Sequence, residues 1–361
     1  MGMSVAKVSE KDRAGQRTYY PEVDILKGIA IVLVALGHAI ILYPVNLHAV
    51  LWTSKIYEWV ESVHMPLFFL VSGFCFSFHG RESASAPEKA QGFFFVYAFY
   101  LGKKVRRILI PYLTFCTADI LARLCFPFFV NDKEKTFLRN IYDMFFGGGG
   151  YWFLYVLFFL FLLAPFWHTA AKRCRALLPL FLALSLCAPF LPGIPEIFLL
   201  RLTAHYLPYF YVGTRIRAHF PALKGLYDRR RLTPRGFLFL TAALLALWIV
   251  LLQINGTDIH TVLYMTVAFL GCFCFWCLLQ SGLLSRLYPA LKEMGVYSLQ
   301  LYLFNSYLLV ISRSFICRFF SYEGAGIILL FNLVFDLGVA YLIIRAVVVK
   351  VPLFRKLCGL L

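Results

Sequence analysis

Residues 24–38 read DILKGIAIVLVALGH. The stretch is aliphatic enough for a membrane-spanning helix, yet it contains Asp24, Lys27 and His38. A charged side chain at the centre of a bilayer costs at least about 2.5–3.5 kcal/mol, so ionisable residues inside a span are candidates for function. These three residues are therefore the first candidates for the functional residues of the protein.

The composition of the whole chain predicts an all-α, polytopic transmembrane protein. Of its 361 residues, 61% are hydrophobic and 15% are charged, whereas a soluble domain is about 45–50% apolar and about 25% charged. Apolar runs of roughly 20 residues, enough to cross a bilayer, recur along the sequence. They predict a helical bundle of about ten spans, at 24–44, 63–79, 109–130, 151–170, 176–191, 199–214, 236–253, 261–280, 295–312 and 326–344. One membrane domain, 24–348, then lies between an N-terminal tail, 1–23, and a C-terminal tail, 349–361.

The formal net charge of +17 is explained by topology. With the N-terminus inside, 26 of the 35 Lys and Arg residues fall in cytoplasmic segments and six on the opposite side. This bias follows the positive-inside rule and predicts that both termini are cytoplasmic. A nucleic-acid partner is not expected.

The cysteines and the known motifs give no sign of a metal site. The ten cysteines are scattered, and the group Cys272, Cys274 and Cys277 is typical of small buried hydrophobic side chains. No phosphate-binding loop, dinucleotide fingerprint, nucleophile elbow or metalloprotease motif is present in the sequence. No metal is expected.

Lys27 and His38 share one face of the first helix. They are eleven residues apart, so their directions differ by about 20° and their separation along the axis is about 16 Å. Asp24 precedes Lys27 by three residues and lies on the same stripe. Asp24 and Lys27 are then near the cytoplasmic surface, and His38 is beyond the midplane. A functional role stays open beside snorkelling for Lys27 and beside hydrogen-bonded packing for His38.

Other spans also contain polar residues. Asp119 and Arg123 are four residues apart in the third span and are predicted to pair, which a structural ion pair would explain equally well. For single residues a hydrogen-bonded structural role is favoured, and these are His64, Tyr302, Asn305 and Asp336.

A basic cluster precedes the third span on the cytoplasmic side. It consists of Lys103, Lys104, Arg106 and Arg107. Contact with anionic lipids and setting of the topology are the simpler interpretation. The alternative is a site for a phosphorylated ligand, because Arg and Lys are the usual partners of phosphate.

Five segments in order carry a resemblance to a known family. They are DILKGIAIVLVALGH (24–38), VHMPLFFLVSGF (63–74), KKVRRILIPY (103–112), YWFLYVLFF (151–159) and GVYSLQLYLFN (295–305). Together they resemble the acyltransferase-3 family of integral membrane O-acyltransferases, especially its fucose 4-O-acetylase-like branch. The resemblance extends from about residue 20 to about residue 345.

The resemblance implies a multi-pass protein of the plasma (inner) membrane that transfers an acyl group, usually acetyl. The donor is cytoplasmic acyl-CoA, and the acceptor is a sugar hydroxyl of a surface polysaccharide or lipid-linked glycan. No bound cofactor is implied. The partners are acyl-CoA, the glycan and membrane lipids, and the oligomeric state is left open between a monomer and a homo-oligomer.

The family pattern of a basic residue, ten positions and a histidine matches Lys27 and His38, which with Asp24 form the expected catalytic set. The basic cluster is the expected acyl-CoA site. Two residues depart from the pattern: lysine at 27 replaces the commoner arginine, and asparagine at 305 replaces a histidine found in many relatives. A role that needs a titrating group at Asn305 is therefore doubtful.

In the expected mechanism His38 activates the acceptor hydroxyl as a general base or accepts the acyl group itself. The candidates for acceptor or oxyanion contacts are His64, Arg123, Trp152, Tyr302 and Asn305. The segment 131–150, with its four glycines, and Trp152 would frame an outer acceptor cleft. Two alternatives remain: a secondary transporter or flippase for small acyl, organic-acid or glycolipid substrates, and a non-catalytic membrane sensor on the same scaffold.

Overall fold

The computed structural model describes residues 19–41, 46–78, 93–125, 136–171, 176–188, 199–229, 233–255, 262–319 and 324–360. Within these ranges the chain is helical and contains no strand. The α-helices are α1 (Pro21–Ile41), α2 (Leu51–Glu61), α3 (His64–Phe74), α4 (Phe93–Lys104), α5 (Ile110–Cys125), α6 (Phe137–Phe146), α7 (Trp152–Ala171), α8 (Leu177–Cys187), α9 (Leu200–Arg229), α10 (Pro234–Asn255), α11 (Val262–Ser281), α12 (Tyr288–Val296), α13 (Ser298–Ile316), α14 (Ala325–Ile343) and α15 (Pro352–Leu357).

Several helices are long and apolar enough to cross a membrane, which confirms a multi-pass helical protein. Six such helices occur in the described part of the chain, and the pair Ser285–Val296 and Ser298–Ile316, bent by 83°, is a seventh candidate. The six are Pro21–Ile41, Phe93–Cys125, Phe137–Trp167, Pro234–Ile254, Val262–Ser281 and Ala325–Val348. The total of about ten spans and the cytoplasmic termini stay predictions. The tail at 1–18 lies outside the described residues.

Helix α1 is at the centre of the bundle. It packs against α2, α3, α12, α13 and α14. Apolar side chains surround the helix, and Ala30, Val34, Ala35, Ala39 and Ile40 are completely buried. A helix that is hydrophobic on all sides is expected to be enclosed, so the stretch that opens the sequence analysis forms the core.

Glycines allow the backbones of two helix pairs to touch. A Cβ atom on Gly28 of α1 would lie 1.8 Å from the carbonyl oxygen of Leu291 in α12. A Cβ atom on Gly295 of α12 would lie 1.7 Å from the carbonyl oxygen of Asp24. Helices α3 and α9 meet in the same way through Gly73 and Gly213. Small residues at such crossings are typical of helices packed within membranes.

Two expectations about basic residues are corrected by the structure. The predicted spans leave 80–108 as a connection between the second and third spans, but residues 93–108 are helical: α4 continues into α5 through a π-helical turn, Val105–Leu109. Cation–π contacts stabilise the lysines of α4: the Nζ atom of Lys104 lies 3.6 Å from the centre of the Phe161 ring. The predicted span 295–312 leaves Arg313 in an outer loop, but the structure places it inside α13, where it is completely buried.

The C-terminal segment folds back onto the bundle. Gln300 donates a 2.7 Å hydrogen bond through Nε2 to the carbonyl oxygen of Cys358. Gly359 adopts a φ of 72°, and a Cβ atom there would lie 2.6 Å from the carbonyl oxygen of Arg107. The segment expected as a C-terminal tail therefore packs beside the π-helical turn.

The contact between α1 and α12 predicts that Gly28 cannot be enlarged. Gly28→Ala forces the two backbones apart and should lower the free energy of unfolding by about 1–3 kcal/mol. The thermal unfolding midpoint of the purified protein in detergent measures this loss.

Gly102→Ala is the matched control, because nothing lies within 4 Å of a Cβ atom at Gly102 in α4. It should be neutral or should stabilise the protein by about 0.5–1 kcal/mol. Equal midpoints for the two variants would contradict the close helix contact.

Candidate functional site

Three side chains from three helices form a hydrogen-bonded chain in the bundle. Nδ1 of His38 in α1 contacts Oδ1 of Asn305 in α13. Nδ2 of Asn305 donates a 2.5 Å hydrogen bond to Oδ2 of Asp336 in α14. Asn305 and Asp336 are each 1% exposed, whereas His38 is only partly buried. The chain therefore runs from a buried carboxyl group to an accessible imidazole.

The hydrogen bonds of Asn305 determine which nitrogen of His38 carries the proton. The amide nitrogen of Asn305 can only donate, and its bond to Asp336 turns the amide oxygen toward His38. An amide oxygen accepts, so Nδ1 of His38 is the protonated nitrogen and Nε2 has the lone pair. Nε2 has no partner among the described residues. His38 is thus held with a basic nitrogen available.

Further polar contacts join the same three helices. Arg313 in α13 donates a 3.0 Å hydrogen bond to the carbonyl oxygen of Ala39, the residue after His38. Ser312 donates a 2.7 Å bond to Oδ1 of Asn332 in α14. Bonds between buried polar groups are strong constraints on orientation. The Arg313 bond holds α1 against α13 next to His38, and the Ser312 bond holds α14 against α13.

Asp24 and Lys27 pair at the other end of α1. Nζ of Lys27 lies 3.0 Å from Oδ1 of Asp24, and both side chains are partly buried. The hydroxyl of Tyr19 donates a 2.8 Å hydrogen bond to Oδ2 of Asp24. Burial and this bond raise the pKa of Tyr19 to about 12, so the phenol keeps its proton. The predicted set is therefore divided, with His38 about 16 Å along the axis from Lys27.

The basic cluster surrounds the π-helical turn. Arg106 and Arg107 are exposed within the turn, and Lys103 is exposed with Nζ 4.1 Å from the centre of the Phe99 ring. Lys104 is partly buried against aromatic rings. Turns of π-helix are frequent at functional sites. An exposed cationic face thus exists where the sequence predicts a phosphate site.

Asp119 and Arg123 pair at the opposite end of α5. Nε of Arg123 lies 2.8 Å from Oδ2 of Asp119, as their spacing predicts. The pair lines a cavity of about 500 Å³. Arg123 is 16 residues after Arg107 on nearly continuous helix, which places the cavity about 24 Å from the basic cluster.

The remaining candidates occupy different surroundings. His64 is buried, and its Nδ1 donates a 2.8 Å hydrogen bond to the carbonyl oxygen of Val60. Tyr302 is buried one helical turn before Asn305, in edge contact with Tyr151. The Trp152 ring stacks on Tyr206 and does not line the cavity.

Two contributing residues were not selected as site residues from the sequence. Asp336 was noted inside the last span, but its link to His38 depends on Asn305 and so on the packing of three helices. The signal available was an intramembrane carboxyl group. Arg313 was missed because the predicted span ended at residue 312, whereas α13 continues to Ile316. No group of three or more metal-binding side chains occurs in the described part of the chain.

Comparison with known families decides the classification. Residues 20–348 match the family profile described as an acyltransferase domain, which covers most of the chain. The chain belongs to the acyltransferase-3 family. Neither the curated proteins nor the solved structures include a match to it. Membership confirms the resemblance found in the sequence at the level of the family and supports a membrane acyltransferase, whereas the fucose 4-O-acetylase-like branch stays a prediction.

The hydrogen-bonded chain predicts that Asp336 is needed to orient His38. Asp336→Leu leaves the Asn305 amide without a buried acceptor, which should cost about 1–3 kcal/mol of unfolding free energy. Acyl transfer should fall at least tenfold, because the imidazole loses its fixed tautomer. Both are measured on the purified protein, by thermal unfolding and by product formation.

Asp336→Asn is the control, because its amide oxygen can still accept the bond from Asn305. It should keep more activity than Asp336→Leu. Equal activity of all three proteins would mean that Asp336 does not orient the histidine.

Proposed function

We propose that this protein is a membrane O-acyltransferase that transfers an acetyl group from cytoplasmic acetyl-CoA to a sugar hydroxyl of a surface polysaccharide or lipid-linked glycan. The observation that carries the proposal is the hydrogen-bonded chain of His38, Asn305 and Asp336. A histidine with one nitrogen fixed as a donor and the other available is suited to remove a proton from a hydroxyl.

The reaction needs one proton transfer and one exchange of bonds. Nε2 of His38 takes the proton of the acceptor hydroxyl as its oxygen attacks the thioester carbonyl carbon. The new C–O bond forms, the C–S bond breaks, and the CoA thiolate leaves and is protonated. Tyr302, one helical turn before Asn305 in α13, is the proposed donor to the oxyanion, because the Asn305 amide is already engaged by His38 and Asp336. In a variant of this route the acyl group passes through Nε2 itself.

Asn305 has a role in this scheme that does not require titration. Many relatives were expected to have histidine at this position, and asparagine replaces it here. A side-chain amide does not titrate near neutral pH, but it transmits orientation from Asp336 to His38. A positioning role therefore fits the departure from the family pattern.

The donor is proposed to bind at the basic cluster. Arg106 and Arg107 are exposed, and α15 brings Arg355 and Lys356, which are also exposed, toward the same region through the contact of Gly359 with Arg107. Cationic side chains are the usual partners of phosphate groups. The acyl-pantetheine arm would then extend past Lys27 toward His38.

The catalytic proposal is tested by His38→Ala in inverted membrane vesicles supplied with radiolabelled acetyl-CoA. Label in the endogenous glycan should fall at least about 100-fold, because general base catalysis contributes about 10²- to 10⁴-fold. His48→Ala, which removes an exposed histidine outside the site, should leave incorporation unchanged.

Wild-type incorporation by a folded His38→Ala protein would exclude His38 from the chemistry. Labelled acetate or acetyl-CoA accumulated inside wild-type vesicles without a covalent product would favour a transporter. Label retained on the wild-type protein without acceptor would select the acyl-histidine route.

The donor proposal is tested by Arg106→Glu together with Arg107→Glu. Reversal of two charges should weaken acetyl-CoA binding at least tenfold, measured by equilibrium binding to the protein in nanodiscs. The matched control is Arg235→Glu with Arg286→Glu, two exposed arginines on other elements. Equal affinities of the two double variants for acetyl-CoA would mean that the basic cluster does not bind the donor and would favour contact with anionic lipids.

A further inference from the structure

The cavity of about 500 Å³ next to Asp119 and Arg123 has no assigned ligand. It is formed by α5, α6 and the turn Gly149–Tyr151 that begins α7. Its volume lies in the range of about 300–1,000 Å³ that is usual for small-molecule sites. Charged, amide and aromatic side chains line the cavity, among them Asp119, Arg123, Arg139, Asn140, Tyr142 and Asp143.

Two Arg–Asp pairs provide hydrogen-bonding groups to the cavity. Nε of Arg123 lies 2.8 Å from Asp119, and Nε of Arg139 lies 3.1 Å from Oδ1 of Asp143. The terminal nitrogens of both guanidinium groups have no partner among the described residues. Each arginine can therefore donate further hydrogen bonds while its carboxylate partner holds it in place.

These two ion pairs do not connect one helix to another. Each pair joins residues four apart within a single helix, Asp119–Arg123 in α5 and Arg139–Asp143 in α6. Neither pair bridges α5 to α6. Both instead orient their arginines along the wall of the same cavity.

The charges of the described lining residues favour a neutral ligand over an anionic one. Among these residues two arginines are balanced by two aspartates, so this part of the wall has donors and acceptors but no net formal charge. Asn140 adds an amide, and Tyr142 and Phe146 add aromatic rings with centres 5.1 Å apart. A pyranose ring combines several hydroxyl groups with an apolar C–H face, and such a wall complements both.

The cavity is also connected to the candidate catalytic centre. Tyr151, the last residue of the turn Gly149–Tyr151, packs its ring edge-on against Tyr302, with ring centres 5.9 Å apart. Tyr302 is one helical turn before Asn305, the partner of His38. Tyr307, two residues after Asn305, donates a 3.0 Å hydrogen bond to the carbonyl oxygen of Phe115 in α5. The same part of α13 therefore contacts two elements that form the cavity, α5 and the turn Gly149–Tyr151, and also holds His38.

We propose that this cavity is the acceptor site and that it binds a neutral pyranose unit of the glycan. The proposal rests on the O-acyltransferase function proposed above. The acceptor then enters at the end of α5 opposite the basic cluster, and its hydroxyl is presented toward His38.

The test uses Arg139→Gln combined with Asp143→Asn, which removes one pair without a change in net charge. Protein in nanodiscs is supplied with acetyl-CoA and either methyl hexopyranosides or methyl hexuronides, and thiol release is followed. Wild-type release should be stimulated by the neutral hexosides and not by the hexuronides. The KM of the double variant for the hexoside should be at least tenfold higher than that of the wild type. Its KM for acetyl-CoA should stay within twofold of the wild-type value.

Lys55→Gln combined with Glu58→Gln is the matched control, because it removes an ion pair from the surface of α2. Both of its KM values should stay within twofold of wild type. An unchanged hexoside KM in the Arg139 and Asp143 double variant would overturn the acceptor site, and equal stimulation by hexuronides would overturn the neutral ligand class.

The two proposals can fail separately. If wild-type vesicles acetylate their endogenous glycan but no hexoside stimulates thiol release, the pyranose assignment is overturned and the transferase function stands. If neither glycan nor hexoside is acetylated by the wild-type protein, the transferase function itself is overturned.

Discussion

A polar group buried in an apolar bundle must find its hydrogen-bond partner inside the protein, because neither lipid nor hydrocarbon side chains can supply one. Oδ2 of Asp336 and Nδ2 of Asn305 meet this requirement through each other, and Oδ1 of Asn305 extends the contact to His38. The relative positions of α1, α13 and α14 are thereby restricted to arrangements that keep this chain intact. The candidate catalytic geometry and the packing of these helices have a common physical origin.

The backbone contact between α1 and α12 adds a second restriction. Gly28 and Gly295 bring the two helices together with no space for another atom. The polar chain lies toward one end of α1 and the glycine contact toward the other, so α1 is held at both ends. A helix fixed in this way can keep a histidine at a defined position relative to α13 and α14.

The sequence predicted the helical membrane class, the family, and the positions of His38, Lys27, Asp119 and Arg123 on their helices. Those inferences depend on hydropathy and on spacing within one helix, which are local properties. The His38–Asn305–Asp336 chain depends on residues 267 and 31 positions apart in the chain. No local pattern contains such contacts, and one sequence provides no covariation to reveal them. Similarly, the helical state of 93–108 was missed in part because Lys104 is accommodated by the ring of Phe161, which lies in the distant helix α7.

The nearly continuous helix from Phe93 to Cys125, 33 residues long, has a mechanical consequence. It includes both the basic cluster and the Asp119–Arg123 pair, so the two regions are parts of one rod rather than independent surfaces. A rotation of that rod about its axis would turn both regions together. The π-helical turn at Val105–Leu109 is the place where its regular hydrogen bonding changes, and so where such a rotation would meet least resistance. A ligand bound at the basic cluster would therefore act on the cavity at the other end of α5 through a single element.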